Sequence, residues 1–116
     1  MKRRFRLTRS QDLKRVRQAG KSYTHPLVVL YVIPAERPWV RVGVTASRGV
    51  GSAVRRNRAK RLLRAAVSAL LPDLQPGFDL LLIARTPLAA ANMIQTKRAL
   101  AALLSRAGLL TPSENG

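Results

Sequence analysis

Cysteine is absent from the 116 residues and histidine occurs once, at His25, which leaves no disulfide, no thiolate metal site, no cysteine nucleophile and no histidine acid–base pair. Acids are nearly as scarce. Asp12, Glu36, Asp73, Asp79 and Glu114 are the only five, they fall on separate predicted elements, and no two have a spacing that makes a metal pair. No catalytic or metal-ligating residue is therefore expected in the protein itself. Aromatic residues make up 4% of the chain, so Leu, Val and Ala must supply the core. Apolar runs are short: the segment 27–33 falls well below the roughly 20 residues that span a bilayer. The basic start Met1-Lys-Arg-Arg-Phe-Arg-Leu7 lacks the apolar stretch of a secretion signal. No membrane association and no secretion are expected, and a reducing cytoplasm fits the missing cysteines.

Positive charge is abundant. Twenty-two Lys and Arg against five acids give a net charge of +17, which repels itself unless a polyanion is near. Arginine supplies 17 of these cations, favouring bidentate phosphate contacts and stacking over point-charge attraction. Residues 1–64 carry 18 cations and 2 acids, whereas residues 65–116 carry 4 and 3, so binding is expected of the first half and packing of the second. Apolar residues at 47% argue against disorder, and the length fits one domain, 1–110, with a flexible tail over 111–116.

Thr8-Arg-Ser-Gln11 has the pattern of a capping box for a helix running to about Ala19, stopped by Gly20. Residues 27–33, β-branched and ended by Pro34, predict a buried strand. Val40, Val42 and Val44 alternate with Arg41 and Gly43, the period of a strand with one buried face, expected to pair with the preceding strand as a hairpin. A glycine-containing loop, 47–52, leads to Ser52 as N-cap of a helix over 53–71, which Pro72 stops. Residues 78–84 predict another buried strand and 92–107 a closing helix before Gly108. A helix between the strands at 40–44 and 78–84 allows those two to run parallel in one sheet.

The middle helix carries Arg55-Arg-Asn-Arg-Ala-Lys-Arg-Leu-Leu-Arg64. At 3.6 residues per turn, Ala59, Leu62, Leu63, Ala66, Ala69 and Leu70 share an apolar arc, and Arg56, Asn57, Lys60, Arg61 and Arg64 lie opposite. The i,i+4 pairs Arg56/Lys60 and Lys60/Arg64 repel by a few tenths of a kcal/mol each in a free helix, a cost that a phosphate backbone reverses. Asn57 adds an amide able to read base edges or 2′-hydroxyls. Solvated helix faces normally mix signs, and between Asp12 and Asp73 the only acid is Glu36. Gly49 and Gly51 lack the spacing and the Lys-Ser/Thr ending of a nucleotide-binding loop, and read as a flexible entry to the helix.

Arg56-Asn57-Arg58 with Lys60, Arg61 and Arg64 resembles the "RNR" signature of the bacterial ribonuclease P protein family. Arg41-Val-Gly-Val-Thr-Ala-Ser-Arg48, Gly51-Ser-Ala-Val54 and Leu80-Leu-Leu-Ile-Ala-Arg85 are similar to its neighbouring segments, as are Arg6-Leu7, Asp12 and Gly20. The resemblance covers about residues 2–106. It implies an α/β (α+β) sandwich, a four-stranded central sheet in the order αβββαβα, and an unusual left-handed βαβ crossover. Only three of the four strands can be assigned to residues. It also implies an RNA-binding surface of Arg48, Arg55, Arg56, Asn57, Arg58, Lys60, Arg61 and Arg64 that meets the catalytic RNA. A second surface, a cleft for the 5′ leader of precursor tRNA, is implied at Arg6, Arg9, Leu13, Arg17 and Tyr31. Leu13 and Arg17 depart from the aromatics often found there, so stacking on an aromatic ring falls to Tyr31, while Arg17 offers its guanidinium; the alternative for Tyr31 is a core residue with a wet hydroxyl. The function implied is the non-catalytic protein subunit of ribonuclease P, with Mg²⁺ held mainly by the RNA and no protein partner required. A ribosomal-type RNA-binding protein with no enzyme attached is the alternative.

Overall fold

A computed structural model describes residues 1–110; the tail expected to be flexible lies outside the described residues. The chain forms α1 (Ser10–Ala19), β1 (Lys21–Thr24), β2 (Val28–Pro34), β3 (Arg41–Ala46), α2 (Ala53–Leu70), β4 (Phe78–Ala84) and α3 (Met93–Arg106). Short 3-10 turns occupy Arg3–Phe5, Arg48–Val50, Leu71–Asp73 and Thr86–Ala90. The mixed α/β class and the order αβββαβα match the expectation, and the strand left unassigned by sequence is β1. Of its four residues only Tyr23 is even half-buried, so this polar edge strand offers no apolar pattern to detect.

The sheet order is β1-β2-β4-β3, with β3 and β4 parallel and the other pairs antiparallel. The hairpin expected between β2 and β3 does not form. β4 is apolar on both faces and almost wholly buried, so it takes an interior position between them. The connection 35–40 instead crosses the amino-terminal end of β4, where Ala35 N–H donates to Gly77 O (2.8 Å). The parallel pairing through α2 follows the expectation.

The two faces of the sheet are covered unequally. On one, Val28, Leu30, Val42, Leu80 and Leu82 pack with α2 and α3 through Ala59, Leu63, Val67, Leu100, Leu103 and Leu104. On the other lies α1, where only Leu7, Val16 and Leu81 form a buried cluster.

Helix ends follow local chemistry. Ser52 Oγ accepts from Arg55 N–H (3.3 Å), as expected of the α2 cap. Asn92 and Gln95 form a reciprocal capping box at α3. The capping box expected at Thr8 and Gln11 is absent, because Leu7 N–H donates to Val42 O (2.9 Å) and keeps the chain extended beside β3. The helix starts one residue later, with Arg9 as its N-cap and no side-chain cap. In α2 the buried stripe is Ala59, Leu63, Ala66 and Val67, whereas Ala69, placed in the apolar arc by the wheel, is exposed. The entry to α2 forms a 3-10 turn at Arg48–Val50, followed by Gly51 at φ +118°.

Candidate nucleic-acid interface

Every residue of the first turn and a half of α2, 53–58, is exposed. Arg55, Arg56, Asn57, Arg58 and Arg61 are exposed, and Arg48 is exposed on the turn just before the helix. Lys60 and Arg64 are half-buried at the flank of the packed stripe, nearer the sheet than an arc opposite the core implies. Arg58 differs from its neighbours: its Nη1 donates to Ala89 O and its Nη2 to Ala91 O (3.2 Å), tying α2 to the turn at 86–90. Among the described residues no carboxylate pairs with Arg55, Arg56, Lys60, Arg61 or Arg64. This face thus presents unneutralised charge to solvent, the condition under which a polyanion binds most favourably.

The second predicted group divides. Leu13 of α1 and Tyr31 of β2 pack together with Ile33 and Ile83 around the buried Leu7, Val16 and Leu81. Leu13 lies on Gly43, where a Cβ would stand 2.3 Å from Leu13 Cδ2 and 3.0 Å from Leu7 O, so a side chain there would displace Leu13. Arg17 is exposed one residue past the buried Val16. Arg6 and Arg9 line a basin that Tyr31 does not. Its volume is about 660 Å³, and Arg3, Thr8, Asp12 and Arg41 complete it at the amino-terminal end of α1. A narrower pocket of about 160 Å³ brings Arg6 and Leu13 together with Arg64 of α2 across the β3 edge. The two surfaces separated by sequence reasoning therefore meet at Arg64.

A family model, Ribonuclease P, matches residues 1–108. The ribonuclease P protein component of Chloroflexus aurantiacus is 44% identical over 116 residues, spanning 99% of this chain and 86% of that protein. That of Bacillus cereus is 34% identical, spanning 94% and 96%. The chain belongs to the ribonuclease P protein family. Structural comparison agrees: the Staphylococcus aureus RNase P protein aligns with TM-score 0.82 at 26% identity, over 92% of this chain and 98% of that one. The Thermotoga maritima RNase P protein aligns with TM-score 0.78 at 27% identity, over 87% and 96%. As a ribonuclease P protein the chain is a subunit of the endoribonuclease of tRNA 5′ maturation, its partner is RNA, and catalysis in this family is the RNA's. No helix among the described residues is long and apolar enough to cross a membrane.

One feature of this ribonuclease P protein escaped the sequence reading. Asp79 of β4 is fully buried and accepts from three arginines: Arg15 (2.9 Å), Arg37 (2.7 and 2.8 Å) and Arg41 (3.2 and 3.1 Å). Burial pushes its carboxyl pKa up, but the hydrogen bonds from Arg41, Arg37 and Arg15 prevail and hold it at about 2. The signal was an acid inside an apolar strand, since a buried carboxylate requires partners. This carboxylate does not suit Mg²⁺, because its two oxygens are taken by guanidiniums that also repel a cation. No step of the reaction is assigned to a metal on the protein.

Proposed function

We propose that the protein binds the catalytic ribonuclease P RNA through α2 and the 5′ leader of precursor tRNA through the cleft between α1 and the sheet, in the cytoplasm. The observation that supports this reading is the pocket shared by Arg6, Leu13 and Arg64, which sets a cation of α2 beside two residues of the cleft. Arg48, Arg55, Arg56, Asn57, Lys60, Arg61 and Arg64 face the catalytic RNA, while Arg58 orders the adjoining turn. Leu13, Arg17 and Tyr31 hold the leader, with Tyr31 stacking a base for about 1–3 kcal/mol. Arg6 and Arg9 take its phosphates from the neighbouring basin.

The chain lowers the charge density between two RNAs and thereby the Mg²⁺ concentration at which the RNA-held ions assemble. The test is cleavage of a precursor tRNA at low Mg²⁺ by a bacterial ribonuclease P RNA. Cleavage that requires both components, with none by the protein alone, is expected. An equal Mg²⁺ requirement with and without the protein refutes the proposal.

A further inference from the structure

Asp79 joins four pieces of the fold at one point. It lies on β4, and its three partners come from α1 (Arg15), from the connection between β2 and β3 (Arg37) and from the first residue of β3 (Arg41). An interior position needs no charge for stability, since apolar side chains of similar volume usually do as well or better. What a buried carboxylate with several partners supplies is a fixed geometry among the groups it holds.

Sheet register shows which geometry. On the face under α1, Asp79 stands opposite Arg41 and Ile33, Leu81 opposite Gly43 and Tyr31, and Ile83 opposite Thr45 and Val29. α1 lies across the middle of this face, with Val16 in the cluster with Leu81 and Leu13 on Gly43. At 100° per residue, Asp12 and Arg15 fall on one flank of α1 and Leu13 and Arg17 on the other. The first flank is tied down by Arg15 to Asp79, while Asp12, on the same helix and 3.7 Å from Arg15, steadies that guanidinium. On the second flank, Leu13, Tyr31 and Ile83 remain only partly buried. Because the fully buried apolar contact under α1 is small, the tie at Arg15 has leverage over the pose of the whole helix.

We infer that Asp79 is a positioning residue for the leader: by holding one flank of α1 to the sheet it keeps the Leu13–Arg17 flank open over Tyr31, and by fixing Arg41 it shapes the adjoining arginine basin. This deepens the reading of the cleft proposed above and rests on it. Asp79 itself touches no RNA.

The experiment uses the holoenzyme reconstituted with a bacterial ribonuclease P RNA. It measures affinity for that RNA and for two precursors, one with a long leader and one with a single leader nucleotide. Asp79→Asn is expected to weaken long-leader binding about 10-fold and leave the other two affinities within about 2-fold, as displaced contacts predict. Arg15→Gln, which cuts only the α1 tie and keeps Asp79 paired with Arg37 and Arg41, is expected to weaken long-leader binding in the same direction. It serves if Asp79→Asn does not fold. Retention of wild-type leader preference by the folded variants overturns the inference, as does a proportional loss of all three affinities, the mark of a purely structural role. A wild-type holoenzyme that does not distinguish the two leaders overturns the cleft reading itself, and the inference with it.

Discussion

Acid should remove a defined part of the stability through Asp79. Its carboxyl, ordinarily at 3.8, is held at about 2 in the folded protein, against the opposing effect of burial, by the guanidiniums of Arg41, Arg37 and Arg15. A group whose folded pKa is depressed stabilises fully above its unfolded value and loses that contribution as pH falls through the folded one. The difference corresponds to about 2.5 kcal/mol, present above about pH 4 and gone below about pH 2. Against a typical domain stability of about 5–15 kcal/mol this is measurable. Urea unfolding followed by circular dichroism, for the wild type and Asp79→Asn at matched ionic strength from pH 7 to pH 2, isolates the effect, because the other carboxylates titrate in both proteins. The variant should be less stable at pH 7 by at least the pH-dependent amount, since removing one partner strands three arginines around a neutral amide. The gap should then close between about pH 4 and pH 2. A gap that is absent at pH 7, or that stays constant down to pH 2, refutes the reasoning.

Replacing Arg56, Lys60 and Arg64 together by Ala should lower the slope of log affinity against log salt for ribonuclease P RNA by about 2–3, with an unchanged far-ultraviolet spectrum; an unchanged slope removes that face from the interface. Leu63→Ala, at a fully buried position under α2, should cost about 2–5 kcal/mol in urea unfolding. Gly51→Ala forces a side chain into φ +118° and should cost about 1–3 kcal/mol, read as a lower Tm; an unchanged Tm means that the turn before α2 adapts without strain.

Local chemistry determined much of this protein. The seven residues of β4, the Ser52 cap of α2 and its span to within one residue, and the end of α1 at Gly20 were all legible, because each rests on neighbours in the chain: a closed apolar run, a capping hydroxyl, a C-cap amide that bonds back to Val16 O. The cationic face of α2 was legible for the same reason, since helical periodicity is a property of the segment alone. Three residues departed from it: Lys60 and Arg64 are half-buried beside the packed stripe, and Arg58 is held by Ala89 and Ala91, more than thirty residues away.

What only the tertiary structure decided involves long separations. Burial placed β4 between β2 and β3 and replaced the expected hairpin; pairing of residues 6 and 7 with β3 delayed α1 by one residue. The polar β1 became a strand because β2 offered it a free edge. The joining of two RNA surfaces at Arg64, and the gathering of three arginines on Asp79, depend on side chains brought from distant segments. Periodicity and caps act within a few residues, whereas burial and charge pairing act on whatever the completed fold sets side by side.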